Sequence, residues 1–505
     1  MKKRNLVKAI NVLSAAALAT LLSVSPAVHA KDKVQKETKT PIKHVVVIFG
    51  ENVSFDHYFG TYPYALNIKG EPQFKAKANT PEVNNLLTPK DYNHTQPDIS
   101  KTNLITNNPN TANPVRLDRS QAMTADMDHN YHDEIAAANK GKMDNFVTGT
   151  GKGSSLVMDY YDGNTVTALW NYAQNFAMSD NSFNTVYGPS TPGAINLISG
   201  ETHGADLFDK NGQKVTNDIL NEYENRTLTG DPNPYFDKAS TGATAKMDDA
   251  NKNVGDLLNA KEVTWGWFQG GFADPNAKHK NVGGAEVTDY SPHHQPFEYY
   301  KSTANPDHKA PSSTKMIGRT DQANHQYDMK DFWKAVDSGN MPSVSYLKAP
   351  MYQDGHAGYS DPLDEQHFIV NTINHLQKTS EWKDTAVVIA YDDSDGWYDH
   401  VYSPDNGQTE ESGKAGYGPR LPLLVVSPYA KTNYVDHSLT DQTSILKFIE
   451  DNWKLGRIGG DSLDKKAGSM ENMFDFKKGP SHKKIFLDEE TGQPVNGNSL
   501  KPHQH

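Results

Sequence analysis

Two short apolar runs, each followed at once by acidic residues, constrain the fold of this chain most. Residues 45–49 read Val-Val-Val-Ile-Phe and precede Glu51. Residues 386–391 read Ala-Val-Val-Ile-Ala-Tyr and precede Asp392 and Asp393. Uncharged runs rich in β-branched residues are typical of strands buried on both faces of a parallel sheet. The pattern therefore predicts two such strands in an α/β fold.

The acidic residues that follow these runs predict a site for a cation. Ligands of open α/β sheets bind beyond the carboxyl ends of the strands. Carboxylates that meet there repel one another unless they are protonated or neutralised by a cation. We therefore expect one metal ion shared by the two strand ends. The alternative is that these residues are solvated acids on surface loops.

The first thirty residues read as a secretion signal. An apolar stretch from Val12 to Val24 is too short to span a membrane, and small residues end the segment. We expect cleavage after Ala30, which makes the mature protein secreted and extracellular, without a stable membrane anchor. The basic residues that start the segment are Lys2, Lys3, Arg4 and Lys8.

The net charge excludes some classes of partner. Removing residues 1–30 takes away four basic residues and no acidic ones, so the formal charge goes from −12 to −16. Nucleic acid and anchoring to anionic lipid are disfavoured because both require clusters of Lys and Arg. A small phosphorylated substrate or a phospholipid headgroup is compatible, because a bound metal ion reverses the local field. The chain has no cysteine, so it folds without disulfides, and its oligomeric state is left unknown.

A site shared by two distant strands places most of the chain in one catalytic domain, residues 31–458. Long surface insertions are expected at about 64–120 and 205–260, where periodicity is weak and Pro and Gly are frequent. Residues 440–453 predict a helix with one apolar stripe. Residues 459–505 form a polar C-terminal tail that we expect to be loosely held.

A serine between two prolines is a candidate nucleophile. Ser190 lies in Gly-Pro-Ser-Thr-Pro-Gly at 188–193, which predicts a constrained turn that leads into a helix. Such a turn suits a nucleophile held at a set angle, and a helix N-terminus favours anions. The alternative is an ordinary surface turn, in which Gly, Pro and Ser are common.

Four histidines stand beside acidic residues, prolines or glycines. Imidazoles in such surroundings suit anion binding and proton donation near neutral pH. The alternative for each is a structural histidine with no part in chemistry. The four are His129, His293, His294 and His356.

Three motifs occur in a characteristic order. Glu-Asn-x-Ser-Phe-Asp-x-x-Phe-Gly lies at 51–60, Gly-Pro-Ser-x-Pro at 188–192, and Asp-Asp-Ser-Asp-Gly-Trp-x-Asp-His at 392–400. Over about residues 42–453 the chain thus resembles the bacterial phosphoesterase family of secreted acid phosphatases and phosphatidylcholine-type phospholipases C. The resemblance implies an alkaline phosphatase/sulfatase-like fold: a central mixed β-sheet with helices on both faces.

The resemblance also implies roles for individual residues. Ser190 would be both nucleophile and metal ligand, and His129, His293, His294 and His356 would surround the bound phosphate. An all-oxygen ligand set favours Ca²⁺, Mg²⁺ or Mn²⁺, with Zn²⁺ also possible. The implied ligands of one divalent metal are Glu51, Asn52, Ser190, Asp392 and Asp393.

Asp392 and Asp393 can reach one ion only under a geometric condition. Adjacent residues of an extended strand point to opposite faces. The strand must therefore end at Tyr391, and the chain must turn there. The residues that follow, Ser394-Asp395-Gly396, favour such a turn.

Two sequence details favour the acid phosphatase branch. The phospholipase branch more often has Thr in place of Ser190 and Asp-Glu-Asn-Asp-Gly in place of residues 392–396. We therefore expect hydrolysis of phosphomonoesters through a phosphoserine, with His356, His293 or His294 protonating the leaving alcohol.

Two other functions stay open. A phospholipase C would cleave phosphatidylcholine-type lipids, and aromatic residues at 265–268 and 299–300 could contact a quaternary ammonium group, although such residues are more often part of the core. A secreted binding protein without turnover is the third possibility.

Overall fold

Both apolar runs form strands, as predicted. The computed structural model describes residues 37–96, 103–215, 226–405 and 416–497, so the expected signal peptide, residues 1–30, lies outside them and stays a prediction. The strands of the described residues are β1 His44–Gly50, β2 Ala177–Ser179, β3 Ser182–Phe183, β4 Ala205–Phe208, β5 Lys214–Val215, β6 Asn233–Pro234, β7 Thr244–Met247, β8 Trp265–Gln269, β9 Lys278–Lys280, β10 Glu286–Thr288, β11 Gln326–Asp328, β12 Val344–Lys348, β13 Thr385–Tyr391, β14 Leu423–Val426, β15 Tyr434–Asp436, β16 Thr440–Asp441, β17 Phe486–Leu487 and β18 Pro494–Val495.

The predicted C-terminal helix is present at 442–453. In the described part of the chain, each helix is too short or too polar to cross a membrane. The α-helices are α1 Phe55–Phe59, α2 Tyr131–Ala138, α3 Thr167–Asn175, α4 Ser190–Ser199, α5 Val254–Ala260, α6 Met329–Asp337, α7 Pro362–Leu376 and α8 Gln442–Trp453.

The central sheet of the described residues is mixed and has eight strands. Their order is β11-β8-β12-β1-β13-β14-β2-β15. Neighbouring strands are parallel, except that β14 runs antiparallel to both β13 and β2. The two acid-bearing strands, β1 and β13, are direct neighbours at the centre, where both faces are covered.

Helices cover both faces of this sheet, which confirms the predicted architecture. Successive residues of β1 point to opposite faces. Val46 and Ile48 pack in a core with residues of α1, α3, α6 and α7. Val45, Val47 and Phe49 pack in a second core with residues of α4, α5 and α8. The sheet is therefore buried on both sides, as its uncharged strands require.

The two predicted insertions differ in structure. The described residues of 64–120 contain no α-helix or extended strand, yet Leu86 and Leu104 pack in one cluster with Trp397. Residues 205–260 instead contain the small sheet β5-β4-β7-β6 and helix α5. The alternating burial of β7 shows that this second segment carried a weak strand signal.

The expectation of a loosely held C-terminal tail is wrong for the described residues up to 497. Met473 is buried against the α8 side of the core. Leu487 is also buried, and its backbone amide and carbonyl both bond to the side chain of Asn374 in α7. Scattered apolar residues in a polar segment gave no periodic signal, because their burial depends on surfaces distant in sequence.

Candidate active site

The two acid-bearing strand ends lie side by side at the carboxyl edge of the sheet. Gly50 of β1 is opposite Tyr391 of β13 in parallel register, so Glu51 and Asp392 leave the sheet at the same level. Both side chains are fully buried. The backbone amide of Asn52 donates to Asp392 Oδ1 over 3.4 Å. The predicted meeting of the two strand ends is therefore observed.

The chain turns directly after β13 and brings Asp393 beside Asp392. The strand ends at Tyr391. Left-handed backbone conformations at Asp395 (φ 53°) and Gly396 (φ 71°) then reverse its direction. This is the condition under which both carboxylates can face one ion.

Helix α4 carries the candidate nucleophile into this cluster. Ser190 is its first residue and is 2 % exposed. The Oγ atom lies 3.1 Å from Glu51 Oε2, 3.0 Å from Asp393 Oδ2 and 3.4 Å from Asn52 Oδ1. The sequence-predicted turn is therefore a helix start aimed at the two strand ends.

Close contact between α4 and the loop after β13 requires glycine at position 193. A Cβ atom there would lie 2.0 Å from the backbone carbonyl oxygen of Asp392. Any larger residue would push the helix away from the loop. The glycine of the Pro-Gly pair thus sets the distance between Ser190 and the carboxylates.

A lysine completes the cluster. Lys348 is the last residue of β12, the strand beside β1, and it is fully buried. Its Nζ atom forms ion pairs with Glu51 Oε1 and with Asp392 Oδ2, the latter at 3.2 Å. The surrounding carboxylates raise the pKa of Lys348 despite its burial, so this residue is a fixed positive charge.

The donor set fits a divalent cation. Burial raises the pKa of Glu51 to about 7, and burial together with Glu51 raises the pKa of Asp392 well above its usual range. The carboxylates of Glu51, Asp392 and Asp393 outnumber the one ammonium group of Lys348 in this buried space. The side-chain amide of Asn52 lies among the same carboxylate oxygens, 3.4 Å from Ser190 Oγ. A doubly charged cation at this point would relieve the repulsion and could take the amide oxygen as a ligand.

The four predicted histidines converge on the same cluster. His294 Nδ1 lies 3.3 Å from Glu51 Oε1, and the ring of His293 contacts that of His294 at 4.4 Å between centroids. His129 Nδ1 lies 3.2 Å from Asp395 Oδ1, and its ring centroid is 5.9 Å from that of His356. All nine predicted site residues therefore lie in one region, although their roles stay predictions.

The histidines differ in protonation. Burial lowers the pKa of His293 and His294, and it lowers that of His356 to about 4. Burial also opposes the charge of His129, but the Asp393 and Asp395 carboxylates raise its pKa well above the usual value. The surroundings of His129 therefore favour its cationic form, whereas the sequence analysis named the other three as candidates for the acid.

An exposed carboxylate lies at the start of α4. Asp231 comes from the 205–260 insertion, and its Oδ1 accepts the backbone amide of Thr191 at 2.8 Å. Thr191 follows Ser190 directly. Tyr299 holds this loop through a 2.6 Å hydrogen bond to the carbonyl oxygen of Pro232. A negative charge therefore stands beside the nucleophile on the solvent side.

The family of the chain is established by a family model. The model described as Phosphoesterase family matches residues 42–456. The chain belongs to the Phosphoesterase family. This finding confirms the resemblance carried by the three motifs.

Several curated relatives of this chain are named phospholipases C. A non-hemolytic phospholipase C of Pseudomonas aeruginosa is 23% identical over 81% of this chain and 53% of the relative. One of Burkholderia pseudomallei is 25% identical over 81% of this chain and 55% of the relative. The non-specific phospholipase C6 of Arabidopsis thaliana is 22% identical over 79% and 64%. The chain spans about half the length of the two bacterial relatives.

Solved structures give only a distant likeness. A murine ectonucleotide pyrophosphatase/phosphodiesterase 5 is 11% identical, covers 61% of this chain and 95% of its own, and has a TM-score of 0.31. A protein in the alkaline phosphatase superfamily from Vibrio parahaemolyticus is 10% identical, covers 74% and 83%, and has a TM-score of 0.30.

Sequence reasoning missed three charged residues of the site. Lys348 follows the apolar residues of β12 just as Glu51 follows those of β1, so the same strand-end signal could have found it. Asp354, two residues before His356, lies 3.9 Å from His294. Asp231 had no signal, because it lies in Gly-Asp-Pro at 230–232, outside the strands and helix of its segment.

The aromatic residues considered for headgroup binding belong to the core. The residues at 265–268 form β8, and Trp265 and Trp267 are completely buried. Tyr299 and Tyr300 are also buried in the same cluster as α4. They stabilise the helix that carries Ser190 and present no open surface to a ligand.

Proposed function

We propose that this protein hydrolyses phosphoric esters with Ser190 as nucleophile. One observation carries the proposal: Ser190 Oγ lies at the start of a helix, within 3.4 Å of Glu51, Asn52 and Asp393. A buried hydroxyl among carboxylates, close to four histidines, suits attack on phosphorus. Membership of the Phosphoesterase family supports the same chemistry.

Each residue of the cluster has a separate role in the reaction. A divalent cation, when bound, would favour the ionised serine and draw charge from a phosphoryl oxygen. Ser190 Oγ, 3.0 Å from Asp393 Oδ2, gives up its proton to water as it attacks phosphorus. The bond from phosphorus to the leaving oxygen breaks, and that oxygen takes a proton from His129. Water then attacks the phosphoserine and gives a proton back to His129, while the Ser190 oxygen leaves and regains a proton from water. The cation would be held by Glu51, Asn52, Ser190, Asp392 and Asp393.

A diester substrate of the phospholipase C type has more support than a phosphomonoester. This reverses the preference for a phosphomonoester that was drawn from the sequence. The relatives carry the name phospholipase C. The carboxylate of Asp231 beside Ser190 disfavours the dianion of a monoester and favours a diester that carries a cationic headgroup. Two features favour an acid phosphatase instead. Position 190 is serine, not threonine, and residues 392–396 read Asp-Asp-Ser-Asp-Gly.

Two chromogenic substrates separate the two candidates. We expect the purified protein to hydrolyse p-nitrophenyl phosphorylcholine with a higher kcat/KM than p-nitrophenyl phosphate. Asp231→Asn should bring the kcat/KM values for the two substrates closer together. The reverse preference in the parent, unchanged in Asp231→Asn, would return the assignment to an acid phosphatase.

Substitution of the serine tests the chemistry itself. Ser190→Ala should lower kcat by on the order of 10³-fold or more on either substrate, with the far-UV circular dichroism spectrum unchanged. Ser199→Ala, at the other end of the same helix, is the matched control and should keep parental activity. Parental rates in Ser190→Ala would refute the nucleophile.

A further inference from the structure

The second oxygen of each carboxylate in the cluster is already occupied by the protein. Glu51 turns Oε2 toward Ser190 and gives Oε1 to Lys348. Asp392 gives Oδ2 to Lys348 at 3.2 Å, and its Oδ1 accepts the backbone amides of Asp393 at 2.9 Å and of Asn52 at 3.4 Å. Each of these two carboxylates therefore has one oxygen paired with the ammonium group of Lys348.

The third carboxylate is divided in the same way by a backbone group. Asp393 Oδ2 faces Ser190 Oγ at 3.0 Å, whereas Oδ1 accepts the backbone amide of Asp395 at 2.7 Å. The cluster thus offers one oxygen from each carboxylate, together with the Asn52 amide oxygen and Ser190 Oγ. These are five oxygens, each used singly.

The side chain of Lys348 is held in a fixed position between Glu51 and Asp392. It closes β12, which pairs with β1 in parallel register, and its side chain is 1 % exposed. Its Nζ atom also lies 5.1 Å from the centre of the Phe49 ring. Since the ammonium group is buried and fixed between two carboxylates, neither carboxylate can rotate to present both oxygens to one ion without losing the ion pair.

We propose that Lys348 makes the site selective for a small divalent cation and against Ca²⁺. Ca²⁺ takes six to eight oxygens and commonly uses bidentate carboxylates, whereas Mg²⁺ and similar small ions take fewer ligands at shorter distances. Lys348 withholds one oxygen of Glu51 and one of Asp392, so the bidentate mode is blocked. Its ammonium group also offsets one of the negative charges of Glu51, Asp392 and Asp393. This inference rests on the proposed metal site and assigns its selectivity.

Direct cation binding tests the proposal without an activity assay. Mn²⁺ and Ca²⁺ are titrated separately into metal-stripped parent protein and into Lys348→Met by isothermal calorimetry at one pH. The parent should bind Mn²⁺ more tightly than Ca²⁺. In Lys348→Met the ratio of the two affinities should shift toward Ca²⁺ by about tenfold or more, because both carboxylates can then become bidentate. Lys301→Met removes an exposed lysine that pairs with Asp249, and it should leave the ratio unchanged.

Two further measurements keep the result decisive. If Lys348→Met is unfolded without metal, thermal unfolding in Ca²⁺ and in Mn²⁺ replaces calorimetry. Greater recovery by Ca²⁺ supports the proposal, and greater recovery by Mn²⁺ overturns it. The double variant Lys348→Met/Asp392→Asn removes one positive and one negative charge, so the net charge of the cluster is the same as in the parent. A shift toward Ca²⁺ that persists in this variant shows that ligand geometry, not net charge, determines the selectivity. An unchanged ratio in Lys348→Met overturns the role of Lys348 alone, whereas a parent that binds neither ion overturns the metal site as well.

Discussion

Replacing Arg420 by methionine should destabilise the fold strongly. Arg420 is completely buried, and its guanidinium donates to Asp399 at 3.0 Å and to Asp56 at 3.1 Å. It also donates to the backbone carbonyl oxygens of Asn84 at 2.7 Å and Asp180 at 2.8 Å. Asp56 follows β1 and Asp399 follows β13, so one side chain joins the two segments that carry the site carboxylates.

The size of the destabilisation follows from the buried carboxylates and carbonyl groups that lose their partner in Arg420→Met. Removing one partner of a buried ion pair costs about 3–5 kcal/mol, because the remaining charge is uncompensated. Burial disfavours the charge of Asp56, but His400 and Arg420 together hold the pKa of Asp56 below its usual value. The variant loses part of this compensation and two carbonyl partners. We therefore expect the free energy of unfolding to fall by at least about 3 kcal/mol.

Equilibrium unfolding in urea, followed by tryptophan fluorescence, measures this change. Arg226→Met is the matched control, because Arg226 is partly exposed and pairs with Asp206 and Asp248. It should cost no more than about 1 kcal/mol. A loss below about 1 kcal/mol in Arg420→Met would refute the argument that this buried pair supports the two segments.

Four further substitutions test the site and its surroundings. Gly193→Ala should lower kcat by about 10²-fold, because the added methyl group displaces Ser190 from the carboxylates; an unchanged kcat in a steady-state assay would contradict this. Asp392→Asn and Asp393→Asn should each weaken metal affinity, with activity partly restored by excess metal; full metal content with no activity would show a base instead. Burial raises the pKa of Glu365 from 4.5 to about 8, so the folded state keeps a proton that the unfolded chain releases, and stability falls as pH rises between these values. Glu365→Gln should flatten that pH dependence in urea unfolding, and a slope equal to that of the parent would contradict the assignment.

The sequence by itself determined the central strands and the residues that gather at their ends. Uncharged β-branched runs have few alternatives to burial on both faces, so β1 and β13 were predictable to within a residue or two. Carboxylates placed directly after such strands must meet at one edge of the sheet. For the same reason, the approximate positions of Glu51, Asp392 and Asp393 followed from local pattern alone. The family resemblance carried by the three motifs added roles for Asn52, Ser190 and the four histidines.

Only the tertiary structure decided which charges compensate one another. Lys348 reaches Glu51 and Asp392 because β12 lies beside β1, and strand order is not encoded in local periodicity. Asp231 reaches the start of α4 from a short polar stretch outside the strands and helix of its insertion. The protonation of His129 depends on distances to carboxylates far away in sequence. These properties arise from electrostatic and packing contacts between segments that meet only in the folded chain, so no local sequence signal contains them.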